Sequence, residues 1–140
     1  MAYCTLTDLK EAIDERELLQ LTDDANAGAI DQTRIDQMIL DADSEINGYL
    51  GSRYSVPMVP VLPIIIKYSV DIAIYNLYSR RQGPPEHRET RYKNAIRFFE
   101  QVAAGKITLG ANDPNPTVTA GAPLISKPET IFNRDKLDRF

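Results

Sequence analysis

The sequence predicts an all-α protein: a small bundle of about four helices over residues 1–106, followed by an extended C-terminal arm over residues 107–140. Two observations predict this class. Apolar residues recur at helical spacing in the long segments before residue 105, and prolines and glycines interrupt the chain between those segments. With 140 residues, 43% of them hydrophobic, the chain is large enough for one domain with a modest core.

The N-terminal region predicts two short helical segments. Residues 5–13 repeat leucine and isoleucine at helical spacing. Thr7 is the predicted cap of this helix, because a threonine oxygen accepts hydrogen bonds from the free N–H groups of a first turn. A second short turn covers residues 15–21, and the turn-forming residues 22–28 predict a loop.

The clearest helical pattern runs from Gln32 to about Leu50. Asp31 precedes it as the predicted N-cap, and Gly48 and Gly51 mark its end. The apolar side chains trace one face of a helix with 3.6 residues per turn. They are Ile35, Met38, Ile39, Ala42, Ile46, Tyr49 and Leu50.

The proline-rich residues 52–63 are predicted to be extended, since proline fixes φ and restricts the residue before it. Pro63 suits the first position of a new helix, where its missing N–H costs nothing. That helix, from Pro63 to about Arg81, is apolar on nearly all sides, so it is either central in the bundle or covered by another subunit. A last helix is predicted from about Pro85 to Ala104.

Residues 107–140 differ in character from the rest. Four of the nine prolines lie between Pro114 and Pro128, among glycines and small polar residues. We expect an arm that is ordered only where something holds it. Its end carries apolar residues that we interpret as anchors on a neighbouring subunit or on the protein's own bundle: Ile131, Phe132, Leu137 and Phe140.

Charge is divided unevenly along the chain. Residues 1–50 hold three basic and twelve acidic residues, residues 51–110 hold nine basic and four acidic, and residues 111–140 hold four of each. Such a chain can neutralise itself internally, or stack head-to-tail on copies of itself. The sequence leaves both arrangements open.

Catalysis and cofactor binding are not predicted. Cys4 is the single cysteine and His87 the single histidine, so one chain offers no Cys-based zinc site and no His-rich site. We interpret Cys4 as a packing residue and His87 as a surface residue. The residues around Asp23 suggest a calcium loop, but Ala29 and Ile35 stand where an EF-hand needs glycine and glutamate. No nucleophile elbow, phosphate-binding glycine loop or zinc-protease motif is present.

The sequence also excludes a membrane span. Its longest apolar run is 11 residues, is interrupted by three prolines, and is too short to cross a bilayer. The N-terminus shows no basic start followed by an apolar stretch, so we expect a soluble protein made in the cytoplasm.

A set of basic residues lies at the end of the helix predicted from Pro63 to Arg81 and along the last predicted helix. Arg88, Arg91 and the stretch from Lys93 to Arg97 are expected along exposed parts of the last helix, and the basic set could follow DNA phosphates without reading sequence. The alternative is an ordinary solvated helix face paired with neighbouring glutamates. The candidate DNA-channel or partner contacts are Arg80, Arg81, Arg88, Arg91 and Arg97, with Lys93 beside them.

Taken in order, four stretches resemble the small head-morphogenesis proteins of Mu-like phages and prophages. The first is residues 3–9, YCTLTDL, and the most specific is residues 41–50, DADSEINGYL, with 30–31 before it and RYSVP after it. The others are residues 71–77, DIAIYNL, and residues 131–137, IFNRDKL. That family is in turn similar to the head–tail connector, adaptor or head-completion proteins of tailed phages.

The resemblance implies a helical bundle that forms a ring, commonly of twelve subunits, under the portal protein at the head vertex. Such a ring would line the DNA exit channel, bind neck or tail proteins, and carry no catalytic residues or cofactor. It implies location in the virion, after an earlier stage in the host cytoplasm. Two alternatives remain: a small DNA-binding or packaging-accessory protein, and an assembly chaperone.

Overall fold

The computed structural model describes residues 2–110, and all regular structure in that part of the chain is helical, which confirms the all-α class. Its helices are α1 (Leu6–Ala12), α2 (Glu15–Thr22), α3 (Gln32–Leu50), α4 (Pro63–Arg81) and α5 (Glu86–Ala103). The predicted count of about four becomes five, because the two N-terminal segments form separate helices.

Side-chain caps fix the starts of the first three helices. Thr5 caps α1, two residues before the predicted Thr7: its Oγ1 accepts from the Asp8 N–H at 3.4 Å. Asp8 Oδ2 in turn accepts from the Thr5 N–H at 2.7 Å, and this reciprocal pairing selects Thr5. Asp14 caps α2. The prediction of Asp31 as the cap of α3 is confirmed, since it accepts from two N–H groups of the first turn.

α4 lies at the centre of the bundle. It contacts each of the other four helices, and Pro63 is its first residue, as predicted. Nine of its side chains are buried, and they lie around most of its circumference. The chain's own helices therefore cover the apolar helix, which decides between the two alternatives that the sequence left open. Within residues 2–110, no helix is both long and apolar enough to span a membrane.

The core joins all five helices and the segment before α1. Phe99 of α5 is fully buried and lies near two tyrosine rings, Tyr49 at 6.4 Å and Tyr68 at 5.8 Å between centroids. The other large side chains with less than 2% exposure include Leu9, Leu18, Leu21, Ile35, Ile46, Leu50, Ile65, Ile72, Ile74, Leu77 and Val102.

The proline-rich connection between α3 and α4 consists of turns and bends rather than the extended run predicted. Its first residues continue the helix end, because Arg53 and Tyr54 donate backbone hydrogen bonds to the Leu50 carbonyl oxygen at 3.0 and 2.8 Å. Further along, the Met58 N–H donates to the Tyr3 hydroxyl at 2.9 Å. The connection is thereby held against the N-terminal segment.

Candidate functional site

Asp24, in the loop after α2, gathers three basic side chains. Arg80 donates to both of its carboxylate oxygens, from Nη1 to Oδ2 at 2.7 Å and from Nη2 to Oδ1 at 2.9 Å. Arg81 Nη1 donates to Oδ1 at 3.1 Å, and Arg34 Nε lies 3.4 Å from Oδ2. Arg80 also donates to the Leu21 carbonyl oxygen at 2.6 Å. These contacts join the end of α4 to the loop after α2 and to the start of α3.

The two neighbouring carboxylates that suggested a calcium loop have protein partners. The hydrogen bond from Arg80 is the largest cause that holds the pKa of Asp24 below its usual value. Asp23 accepts from the backbone N–H of Ala27 at 2.7 Å and of Gly28 at 2.8 Å, which closes the turn. In the described part of the chain, no group of three or more acidic, cysteine or histidine side chains is placed to hold a metal ion.

Arg88 is buried, which corrects the expectation that it lies on an exposed part of the last helix. It is 9% exposed, and its Nη2 donates to the Ala12 carbonyl oxygen at the end of α1 at 3.3 Å. The physical reason is its register: Ala95 and Phe99, seven and eleven residues later, are both fully buried, so all three share one helix face. The spacing of Arg88, Ala95 and Phe99 in the sequence is sufficient to predict that Arg88 is buried.

Asp71 is a buried carboxylate on α4 that faces two cations. Its side chain is 7% exposed, with Oδ2 3.9 Å from Lys67 Nζ and Oδ1 3.8 Å from Arg91 Nη1. Burial raises the pKa of Asp71, although the charges of Lys67, Arg91 and Arg88 act in the opposite direction. Arg91 is 57% exposed, so it remains at the surface while it leans towards Asp71.

Arg97 is exposed on α5, and no described carboxylate lies within ion-pair distance of it. Lys93, on the same helix, pairs with Glu89 at 2.9 Å, as the solvated-face alternative expects. Of the other arginines predicted to contact DNA, Arg80 and Arg81 pair with Asp24 at the surface, and Arg88 is buried against α1. The structure therefore does not gather the five predicted arginines into one exposed stripe.

A small polar cluster lies buried beneath the N-terminal segment. Asp43 of α3 accepts from the Tyr3 N–H, at 3.2 Å to Oδ1 and 3.3 Å to Oδ2. Ser69 Oγ of α4 lies 3.4 Å from Asp43 Oδ1 and 3.2 Å from Cys4 Sγ. Burial raises the pKa of the Cys4 thiol to about 11 and also raises that of Asp43. Cys4 is 1% exposed, in keeping with the packing role expected for it.

Three large apolar side chains of the described residues are exposed: Leu40 at 57%, Val56 at 39% and Val59 at 66%. The two valines belong to the proline-rich connection. Leu40 lies on α3 but outside the apolar stripe of that helix, so its spacing in the sequence already distinguished it from the core residues.

The first residues of the predicted arm lie against the bundle. Leu109 N–H donates to the Tyr54 hydroxyl at 3.0 Å, and Arg53 Nη1 donates to the Ile107 carbonyl oxygen at 3.5 Å. Ile107 and Leu109 pack on the core. The predicted anchors lie outside the described residues: Ile131, Phe132, Leu137 and Phe140.

Comparison with known proteins finds similar phage sequences. The sequence model of the family described as "Bacteriophage Mu, Gp36" matches residues 3–126. The "Mu-like prophage FluMu protein gp36" of Haemophilus influenzae is 34% identical over 92 residues, which cover 66% of this chain and 64% of that protein, less than two thirds of its length. "Gene product J" of Escherichia phage Mu is 29% identical over 140 residues, which cover 97% of this chain and 98% of that protein.

Proposed function

The chain belongs to the bacteriophage Mu Gp36 family, and from this premise we propose that it is a structural protein of the phage head–tail junction. It acts as a connector or adaptor: copies form a ring between the portal protein and the neck or tail proteins. Its contribution is assembly rather than catalysis, and it uses no cofactor. It enters the virion from the host cytoplasm.

The observation that carries this proposal is the division of charge along the chain, with residues 1–50 acidic and residues 51–110 basic. On α3, the exposed Asp36 and Asp41 accept hydrogen bonds from glutamines one turn earlier, and no described cation lies within ion-pair distance of either. On α5, Arg97 has no described carboxylate partner, and the exposed Glu86 and Glu100 of the same helix have no described cation partner. A ring requires each subunit to use two different surfaces, and an acidic first part and a basic middle part of one chain can supply them.

The proposal includes contact with passing DNA, made by fewer arginines than the five that the sequence suggested. Arg97 and the half-exposed Arg91 can face phosphates without sequence preference. The pairing of Arg80 and Arg81 with Asp24, and the burial of Arg88, leave fewer cations for an isolated chain to bind duplex DNA. These contacts favour a connector over a dedicated DNA-binding protein.

The test is electron microscopy of particles from a phage that lacks this gene, with the gene supplied in trans as the control. The proposal expects tailless heads beside separate finished tails, and complete particles on complementation. Complete infectious particles without the gene would contradict it.

Mass spectrometry of purified particles separates a connector from an assembly chaperone. A connector is present in several copies per particle, whereas a chaperone is absent from the finished virion. Strongly salt-dependent binding of the isolated chain to duplex DNA would instead favour the DNA-binding alternative.

A further inference from the structure

A groove of about 460 Å³ lies between the N-terminal segment and the first half of α3. Its lining includes the apolar side chains of Leu6, Ile39 and Leu40, together with Cys4. This volume falls in the range of sites that hold a ligand or a few large side chains. Leu40, at 57% exposure, borders the groove, so a substantial apolar surface is open to solvent there.

One exposed carboxylate borders this apolar surface. Asp36 lines the groove and accepts a hydrogen bond from Gln32. No described lysine or arginine forms an ion pair with Asp36. An occupant that is apolar at its contact points and carries positive charges beside them would complement the groove in both respects.

We propose that the C-terminal residues 129–140 of the same chain occupy this groove. That segment carries four large apolar residues, Ile131, Phe132, Leu137 and Phe140. Three cations lie among them, at Arg134, Lys136 and Arg139, against the acidic Asp135 and Asp138. With Glu129, the segment 129–140 holds three basic and three acidic side chains, so it combines apolar anchors with adjacent cations and has no excess of either sign among its side chains.

The path of the chain allows docking within one molecule. Leu109 is hydrogen-bonded to Tyr54, just beyond the end of α3, so residues 111–128 begin near that end of the helix. Leu40 lies ten residues before Leu50, a distance of about 15 Å along the helix axis. The eighteen residues 111–128 span on the order of 60 Å when extended, which is ample for this distance.

Tethering favours the molecule's own segment over that of a second copy. A linked segment experiences a local concentration near the millimolar range, far above a micromolar concentration of free chains. The inference goes beyond the proposed function, because it concerns what covers the groove in the isolated protein and needs no ring or particle.

The experiment uses the full chain in a Cys4→Ala background, so that the native thiol beside the groove cannot react. One protein carries Leu40→Cys with Phe140→Cys. The matched control carries Val59→Cys with Phe140→Cys, since Val59 is a comparably exposed apolar residue outside the groove. Both are oxidised at micromolar concentration and analysed by non-reducing electrophoresis and mass spectrometry.

The Leu40 pair is expected to form an intramolecular disulfide at least about tenfold faster than the Val59 pair, because docking raises the local concentration of the two thiols. Equal rates for the two proteins would overturn the proposal. So would a product that is only dimeric, since the segment would then come from a second copy.

A second measurement avoids the introduced cysteines and any misfolding that they cause. Hydrogen exchange of amides 131–140 is expected to be faster in the Leu40→Asp variant than in the unmodified chain, whereas Val59→Asp leaves it unchanged. Identical exchange in all three proteins would overturn the proposal. Both measurements use isolated protein, so their failure is distinguishable from normal particle formation without the gene, which contradicts the proposed function instead.

Discussion

Arg80 and Asp24 form a two-point ion pair, with Nη1 to Oδ2 at 2.7 Å and Nη2 to Oδ1 at 2.9 Å. A planar guanidinium matches the two oxygens of a carboxylate, which a lysine cannot do. The pair connects the last turn of the central helix with the loop that follows α2. It also pairs an arginine that the sequence analysis gave as a candidate for contact with DNA or a partner.

The first prediction tests this ion pair. Arg80→Lys is expected to lower the melting temperature, because an ammonium donates from a single nitrogen and cannot reproduce the parallel contacts that two guanidinium nitrogens make with Asp24 and Leu21. Arg81→Lys should have the smaller effect, since Arg81 makes a single contact with Asp24. Thermal unfolding followed by circular dichroism measures both variants. An equal or larger effect of Arg81→Lys would contradict this ordering.

The second prediction concerns pH. Burial raises the folded-state pKa of Asp71 above its ordinary value of 3.8, so between these two values the folded chain binds a proton that the unfolded chain has released. The contribution of Asp71 to stability is therefore full below pH 3.8 and is lost as the pH rises through the folded-state pKa. Asp71→Asn is expected to remove this loss.

The measurement for Asp71 is the free energy of unfolding in urea across the acidic range, for the unmodified chain and for Asp71→Asn. The free energy of unfolding of Asp71→Asn should increase relative to that of the unmodified chain as the pH rises towards neutrality. Asp36→Asn is a suitable control, because that carboxylate is exposed. Parallel pH profiles for the unmodified chain and Asp71→Asn would show that the buried carboxylate is not the cause.

The third prediction addresses the core. Phe99→Ala is expected to destabilise the protein by about 3–5 kcal/mol, because it removes a fully buried ring and leaves a cavity. Phe98→Ala, at the partly buried neighbouring position, should cost less. Urea unfolding gives both free-energy differences when the slope of the unfolding free energy against urea concentration is the same in the variants and in the unmodified chain. A greater loss from Phe98→Ala would place the centre of the core elsewhere.

The fourth prediction separates the arginines by role. Arg97→Glu is expected to leave the melting temperature almost unchanged, because the side chain is exposed and has no described ion pair. It should reduce the yield of infectious particles if Arg97 faces DNA. Arg88→Glu should instead unfold the protein, since it places an uncompensated charge where the arginine is buried. Plaque assays and calorimetry distinguish the two effects.

The fifth prediction concerns the arm. Deletion of residues 129–140 is expected to abolish particle assembly, because the anchors Ile131, Phe132, Leu137 and Phe140 are lost. The helical content should remain, since the fully buried side chains among the described residues all lie at or before Val102, outside the deletion. Complementation of a gene-deleted phage tests assembly, and circular dichroism tests the fold. A normal yield of particles from the truncated gene would remove the arm from the assembly role.

Much of the fold followed from local rules that a sequence displays. The stripe on α3, the Asp31 cap and Pro63 at the start of α4 depend on residues a few positions apart, so spacing predicted them. The prediction of Thr7 as the N-cap of α1 was wrong, and this shows the limit of such rules. Two threonines stand two residues apart, and only the reciprocal bond with Asp8 selects Thr5.

The candidate site was less predictable, because it depends on residues that are distant in sequence. Arg80 and Asp24 are 56 positions apart, and nothing in their spacing indicates that they meet. Arg88 is different, since its register with Ala95 and Phe99 already placed it on the buried face.

The sequence by itself determined the helical class, most helix ends and the membership of a phage family, since these depend on local pattern and shared residues. Only the tertiary structure decided that α4 is covered by its own chain, that Arg80 and Arg81 pair with Asp24, and that Leu40 is open to solvent. Burial and ion pairing depend on which helices meet, and that arrangement is a property of the whole packed bundle.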